Sequence, residues 1–153
     1  MTALRELIER IEAAEEGSRE LDGEVWCVVN GLVFRRVHRD GTFDFYNPER
    51  RYCVSAEDPL PYFHMAGEYT HRAPYTVPKY TTSLDAAVSL VPEGAGVQIE
   101  RFWVQHISTP VWSAEVRWGI DGETVYAEER PTPALALCCA ALKARLALEE
   151  PQS

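Results

Sequence analysis

The sequence predicts an α/β fold of the α+β kind, in which a mostly antiparallel sheet is sandwiched between helices. Two observations predict this class. A run of nine apolar residues from 134 to 142 is typical of a buried helix, and three stretches between residues 97 and 129 have the patterns of strands joined by short connections. A chain of 153 residues has the size of one domain and can bury its own core. We therefore expect a single domain over residues 1–153.

The predicted domain begins with two helices. Apolar residues recur at helical spacing over residues 3–15, and Gly17 is expected to end this amphipathic helix. Ser18 is a favoured N-cap for a second helix that ends at Asn30–Gly31. The run from Val25 to Val29 is also compatible with a buried strand, because it is short and rich in β-branched residues. We adopt the helix as the prediction.

A hairpin and an irregular insertion make up the predicted middle part, residues 31–80. Strands are expected at 32–38 and 42–46, with a turn at Asp40–Gly41 between them. Half of the ten prolines follow in the next thirty residues, and each removes a backbone donor. This insertion is therefore expected to contain only one strand, at 52–55.

Regular structure is predicted again from residue 81 to residue 148. Thr82 and Asp85 have the spacing of a capping box and are expected to start a short helix over 83–91. Its inward stripe is predicted to consist of Leu84, Ala87, Val88 and Val91. A three-stranded meander should follow, with strands at 97–105, 111–118 and 123–129. The apolar residues of its first strand change phase, which predicts a β-bulge near Arg101.

The core helix is predicted over residues 133–148. Thr132 is a suitable N-cap, Pro133 suits the first helical position, and Lys143 and Arg145 lie where the helix dipole favours cations. One face is expected to cover the sheet and consists of Leu135, Cys138, Cys139, Leu142 and Leu146. A second, alanine-rich face is expected to admit another helix at close range.

The chain is acidic, but its charge is uneven. Residues 1–32 and 81–153 each carry a net charge of −5, whereas residues 33–80 carry +1, which gives −9 in all. Such a chain is not expected to bind nucleic acid in general, because that binding requires a basic face. A basic local pocket is still compatible with the sequence. No apolar run suits a bilayer span or an export signal, so a cytoplasmic protein without membrane contact is expected.

The cysteines are interpreted as buried free thiols. Cys27, Cys53, Cys138 and Cys139 form no Cys-x-x-Cys pair, and the last two are adjacent in an apolar helix. The motifs of a nucleophile elbow, a zinc protease, a P-loop and an EF-hand are missing from the sequence. We therefore predict no catalytic residue, no metal and no cofactor, and we favour a non-enzymatic protein.

Two hypotheses of enzyme or metal chemistry remain as alternatives. The first is a zinc site, for which ligands of the right types are Cys53, His64, Glu68 and His71. The second is a nucleophilic Cys53 with His38 or His64 as its base. Both place a site in or near the proline-rich insertion.

Tyrosine and arginine residues are concentrated between residues 46 and 80. Six of the seven tyrosines of the chain lie there, and binding surfaces are enriched in both residue types. The predicted ligand-binding residues are Arg50, Arg51, Tyr52, Tyr62, His64, Tyr69, His71, Arg72 and Tyr75. For a nucleotide, the rings would stack on the base and the guanidinium groups would meet the phosphates. The alternative is that the tyrosines only cover the open end of the sheet.

Two blocks of the chain resemble the small phage and prophage proteins of the phage ABA sandwich domain family. These are Tyr80–Gly94 (YTTSLDAAVSLVPEG) and, after the strands, Thr132–Cys138 (TPALALC). The opening helix and the segment Ser18–Asp22 are also similar to many members. The resemblance covers residues 2–30 and 75–148, and it implies a sheet between helical layers. Its motifs are helix caps and core residues, so it implies no catalytic residue.

The function expected from these observations is that of a phage- or prophage-encoded accessory protein that acts by binding. It would inhibit a host protein or sequester a nucleotide, so its partner would be a host protein or a small anionic ligand. The alternative is a small enzyme or metal-binding protein with its site at residues 46–80. A homo-oligomer is compatible with the sequence.

Overall fold

A computed structural model describes residues 2–48, 71–73, 77–105 and 108–150. In these residues it has four helices and two three-stranded antiparallel sheets, which confirms the α+β class. The helices are α1 (Thr2–Ala13), α2 (Arg19–Val29), α3 (Leu84–Val88) and α4 (Pro133–Glu149). The strands are β1 (Val33–Val37), β2 (Phe43–Tyr46), β3 (His71–Arg72), β4 (Gly96–Phe102), β5 (Val111–Trp118) and β6 (Glu123–Arg130).

The contacts of the chain group into two compact units. Unit 1 consists of Met1–Ser18 and Lys79–Ser153, and unit 2 consists of Arg19–Pro78. A single domain over the whole chain stays a prediction. The strand expected at residues 52–55 lies outside the described residues.

The predicted core helix, α4, is the centre of unit 1. Its N-cap is as expected, since the Thr132 hydroxyl accepts a hydrogen bond from the backbone N–H of Leu135. Every residue from Ala134 to Leu142 is buried. The helix packs on β4, β5 and β6, and it also contacts α1 and α3. Burial around its whole circumference follows from these neighbours on several sides.

The sheet of unit 1 has the order β4-β5-β6, and every pair is antiparallel. Ala114 and Val116 are buried on the same face of β5, as the alternating pattern predicts. The bulge expected near Arg101 is wrong, because β4 and β5 pair without a register shift. A shift occurs instead between β5 and β6, opposite Trp112–Ala114, and Glu129 has a positive φ of 55° there. The phase change in β4 leaves Val97 exposed.

Helix α3 is shorter than expected and buries different residues. It ends at Val88, and its N-cap is Ser83, whose hydroxyl accepts from the N–H of Ala86. The predicted inward stripe is therefore partly wrong. Leu84 and Val88 are exposed, Ala87 is buried as predicted, and Leu90, which the stripe did not include, is also buried. Because α3 ends at Val88, its buried residue is Ala87, and Leu90 in the following turn is buried as well.

Unit 2 contains α2 and the sheet β1-β2-β3. The helix expected over Val25–Val29 is confirmed, and Gly31, with φ of 69°, follows its end. The hairpin of β1 and β2 is also confirmed. At its turn, Asp40 accepts from the N–H of Thr42 at 3.0 Å, and Gly41 has φ of 83°. Local turn rules therefore predict this hairpin correctly.

The remaining findings on the fold concern membrane spans and the cysteines. Among the helices of the described residues, none has both the length and the apolar character to span a membrane. Cys27, Cys138 and Cys139 are buried free thiols, as predicted. Burial, with a smaller contribution from Glu24, raises the pKa of Cys27 to about 12. Burial also raises the pKa of Cys139 to about 11.

Candidate functional site

The structure describes two of the nine residues predicted to bind a ligand. His71 and Arg72 form β3, where His71 is opposite Phe45 and Arg72 is opposite Asp44. Seven candidates lie outside the described residues: Arg50, Arg51, Tyr52, Tyr62, His64, Tyr69 and Tyr75. The same is true of Cys53 and of Glu68, so the zinc and nucleophile hypotheses stay predictions.

One face of the sheet in unit 2 is closed by an aromatic cluster. Trp26 of α2 packs edge-on against Phe43 and Phe45, with ring centroids 5.6 and 5.0 Å apart. Gly23 allows this close approach, because a Cβ atom there would lie 2.9 Å from the Phe34 ring. Helix α2 thus covers this face, and the charged side chains of the sheet lie on the opposite face.

A β-bulge in β1 brings two consecutive arginines to that opposite face. The register with β2 shifts between Phe34 and Arg36, so Arg35 is an extra residue. The Arg35 guanidinium lies 4.3 Å from the centre of the Tyr46 ring, and Arg36 bonds to Asp44. Tyr46 and Asp44 are two residues apart on β2 and share a face. A regular strand would have placed the two arginines on opposite faces.

Asp44 is the centre of the charged cluster and is only 8% exposed. Its Oδ2 accepts a hydrogen bond from Arg36 Nε at 2.9 Å, and its Oδ1 lies 2.8 Å from His38 Nε2. Arg72 reaches the same carboxylate from β3, with Nε 3.8 Å from Oδ1. One carboxylate therefore gathers three basic groups from two segments of the chain, β1 with the residue that follows it and β3.

The lowered pKa of Asp44 follows from the geometry of the cluster. Burial alone raises the pKa of the Asp44 carboxyl, but the hydrogen bonds from His38 and Arg36 together outweigh burial and leave the pKa below its usual value. Arg72 Nη2 lies 3.1 Å from His38 Nε2 and 3.4 Å from His38 Nδ1. The carboxylate thus holds both the ring and the guanidinium groups in place.

We call the surface formed by Arg35, Arg36, His38, Asp44 and Arg72 the basic face. Its guanidinium groups are accessible, since the side chains of Arg36 and Arg72 are 72% and 58% exposed. Three guanidinium groups against one carboxylate give the basic face a net positive charge on a chain of net charge −9. Guanidinium groups offer forked donors that match carboxylate and phosphate oxygens. The basic face is therefore suited to binding an oxyanion.

The sequence predicts only Arg72 of the basic face as a ligand-binding residue. It offers His38 only as a base for Cys53. The missed residues are Arg35, Arg36 and Asp44. A signal exists in the sequence, because adjacent arginines occur in a strand of the least acidic third. The bulge that puts both arginines on the face of Asp44 depends on pairing with β2, which strand periodicity alone does not show.

Among residues 2–48, 71–73, 77–105 and 108–150, no three side chains of His, Cys, Asp or Glu gather as metal ligands. The chain matches no protein-family model, no curated protein and no solved structure. The similarity to phage ABA sandwich proteins therefore rests on the residues quoted for it and stays a prediction.

Proposed function

We propose that this chain is a non-enzymatic binding module, a cytoplasmic accessory protein of phage or prophage origin, that holds an anionic partner on the basic face. The phage origin is supported by the sequence resemblance. The binding role is supported above all by the bulge in β1, which turns Arg35 and Arg36 to the side of Asp44 and Arg72. The partner is a host protein with an acidic surface or a small ligand with phosphate groups.

The chemistry of the basic face suits binding better than proton transfer. Guanidinium groups stay protonated at physiological pH, and Asp44, with its lowered pKa, stays ionised. Because Asp44 already fixes Arg36 and His38, these side chains lose less conformational freedom when a partner binds. The carboxylate therefore has a positioning role, and the accessible guanidinium nitrogens make the contacts.

Retention on a heparin resin tests this proposal, because heparin is a polyanion and the chain as a whole is acidic. The wild-type protein should be retained at low salt, and Arg36→Glu with Arg72→Glu should abolish retention. A matched control is Arg5→Glu with Arg117→Glu, which changes the net charge equally on exposed residues of unit 1. The control should stay retained at low salt, although its net charge equals that of the Arg36→Glu and Arg72→Glu variant.

Two results would contradict the proposal. One is a wild-type protein that flows through at low salt, and the other is equal loss of retention in both double variants. Native mass spectrometry of freshly purified protein then distinguishes the two kinds of partner. A retained nucleotide indicates a sequestering role, whereas a co-purified host protein indicates an inhibitor.

A further inference from the structure

Strand β4 is a regular sheet edge, unlike the other edge strands in the described part of the chain. Both β1 and β6 are interrupted by bulges, and the described part of β3 has two residues. Natural proteins blunt edge strands with such irregularities, because a regular edge presents unpaired backbone groups. Strand β4 pairs with β5 over seven consecutive residues without a shift. Alternate backbone groups of β4 therefore face away from the sheet.

The side chains of β4 are also accessible. Five of its seven residues are exposed, and Ile99 and Phe102 are half-buried. A shallow cleft of about 170 Å³ lies beside its first residues and is lined by Gly96, Val97, Gln98, Glu115 and Arg117. The edge and the cleft form one continuous surface of unit 1.

We propose that this edge pairs with β4 of a second copy of the chain, antiparallel and centred on Ile99. A two-fold axis perpendicular to the sheet keeps each face of one copy on the same side as that face of the other. In this register Ile99 is opposite itself, and residues whose numbers sum to 198 are opposite each other. The two three-stranded sheets become one six-stranded sheet.

Three pairs in this register are complementary. Gln98 is opposite Glu100 of the second copy, and its amide already donates to Glu100 within one chain. Val97, whose side chain is exposed, is opposite the aliphatic stem of Arg101 of the second copy. The two Ile99 side chains meet at the axis. Each pair except the central one occurs twice.

The cleft receives the fourth pair. Gly96 is opposite Phe102 of the second copy, and both lie on the face that carries Glu115 and Arg117. Because Gly96 has no side chain, the cleft beside it has room for the Phe102 ring. An aromatic residue across from a glycine is a recognised means of fixing register in antiparallel sheets. The register centred on Glu100 would instead place two carboxylates directly opposite each other.

Sedimentation equilibrium with two charge variants tests both the dimer and its register. Gln98→Lys places a lysine opposite Glu100 of the second copy, twice per dimer, and should tighten dimerisation by roughly 2- to 30-fold. Adding Glu100→Lys places lysine opposite lysine and should weaken dimerisation below that of wild type. Both variants should fold, because residue 98 is opposite Glu115 and residue 100 is opposite Ser113 within the chain.

The control is Val88→Lys, which adds the same charge at an exposed position of α3, outside the sheet, and should leave the dimerisation constant within about twofold of the wild-type value. A wild-type protein that stays monomeric at every concentration would overturn the proposal. The proposal would also be overturned if Gln98→Lys and the double variant changed the dimerisation constant in the same direction. Only the register centred on Ile99 makes the first variant tighten dimerisation and the second weaken it.

Discussion

Arg19 ties together three segments of unit 2, and replacing it should destabilise that unit in particular. Its Nε donates to the carbonyl oxygen of Gly41 at 3.2 Å, in the hairpin turn. Its Nη1 donates to the carbonyl oxygen of Val77 at 3.0 Å and to Asp22 Oδ2 at 3.3 Å. Asp22 is 1% exposed. The Arg19 side chain thus connects α2, the turn of the hairpin and the end of the unit.

The variant Arg19→Met keeps most of the apolar stem and removes every one of these donors. Hydrogen bonds to a charged group contribute about 1.5–3 kcal/mol each, and breaking a buried ion pair costs about 3–5 kcal/mol. These contributions overlap, and the Arg19 side chain is 22% exposed. We therefore expect the free energy of unfolding of unit 2 to fall by about 3 kcal/mol.

Hydrogen exchange measured by mass spectrometry is the appropriate assay, because it reports each unit separately. Peptides from residues 19–48 should exchange faster in Arg19→Met, while peptides from α4 should change less. The control is Arg5→Met, which removes an exposed ion pair with Glu150 and should cost less than about 1 kcal/mol. If Arg19→Met accelerates exchange in unit 2 no more than the control does, the reasoning is refuted.

Three further predictions concern the core, the acid side of the stability curve and the thiols. Leu142→Asp places a charge at a fully buried position of α4 and should leave unit 1 largely unfolded; unchanged circular dichroism and melting temperature would contradict this. Because the pKa of Asp44 is lowered in the folded state, its contribution to stability is present above its unfolded pKa and is lost as the pH falls through its folded pKa. Urea unfolding of Asp44→Asn should therefore lose less stability between pH 7 and pH 3 than the wild type does. Cys27 and Cys139, with raised pKa values, should resist iodoacetamide until the protein unfolds, and peptide mapping that finds them modified in the native protein would show otherwise.

The elements that sequence predicts correctly are those fixed by short-range rules. The Thr132 cap, the Asp40–Gly41 turn and the Asn30–Gly31 helix end each need only a few neighbouring residues. The run at Val25–Val29 is ambiguous by these rules, and there tertiary packing agrees with the helix, since Trp26 on α2 covers the aromatic face of the hairpin.

The errors occur where pairing or packing over long distances decides the outcome. A phase change in β4 predicted a bulge, but β4 accepts an exposed Val97 and keeps its register with β5. In α3, spacing predicted that Leu84, Ala87 and Val88 face inward, but the short helix buries Ala87 and leaves the other two exposed. Hydrophobic periodicity shows which residues would fit a buried face, but the length of an element decides which residues reach one.

For the candidate site, the sequence alone determined that residues 33–80 are the least acidic third of the chain and carry six of its arginines. Only the tertiary structure decided that Arg35 and Arg36 share a face, and that Arg36 and Arg72 meet at one buried carboxylate. The physical reason is that a bulge is a property of two paired strands. Its position depends on how β1 fits both the aromatic face under α2 and the charged face around Asp44, and neither fit can be read from one strand.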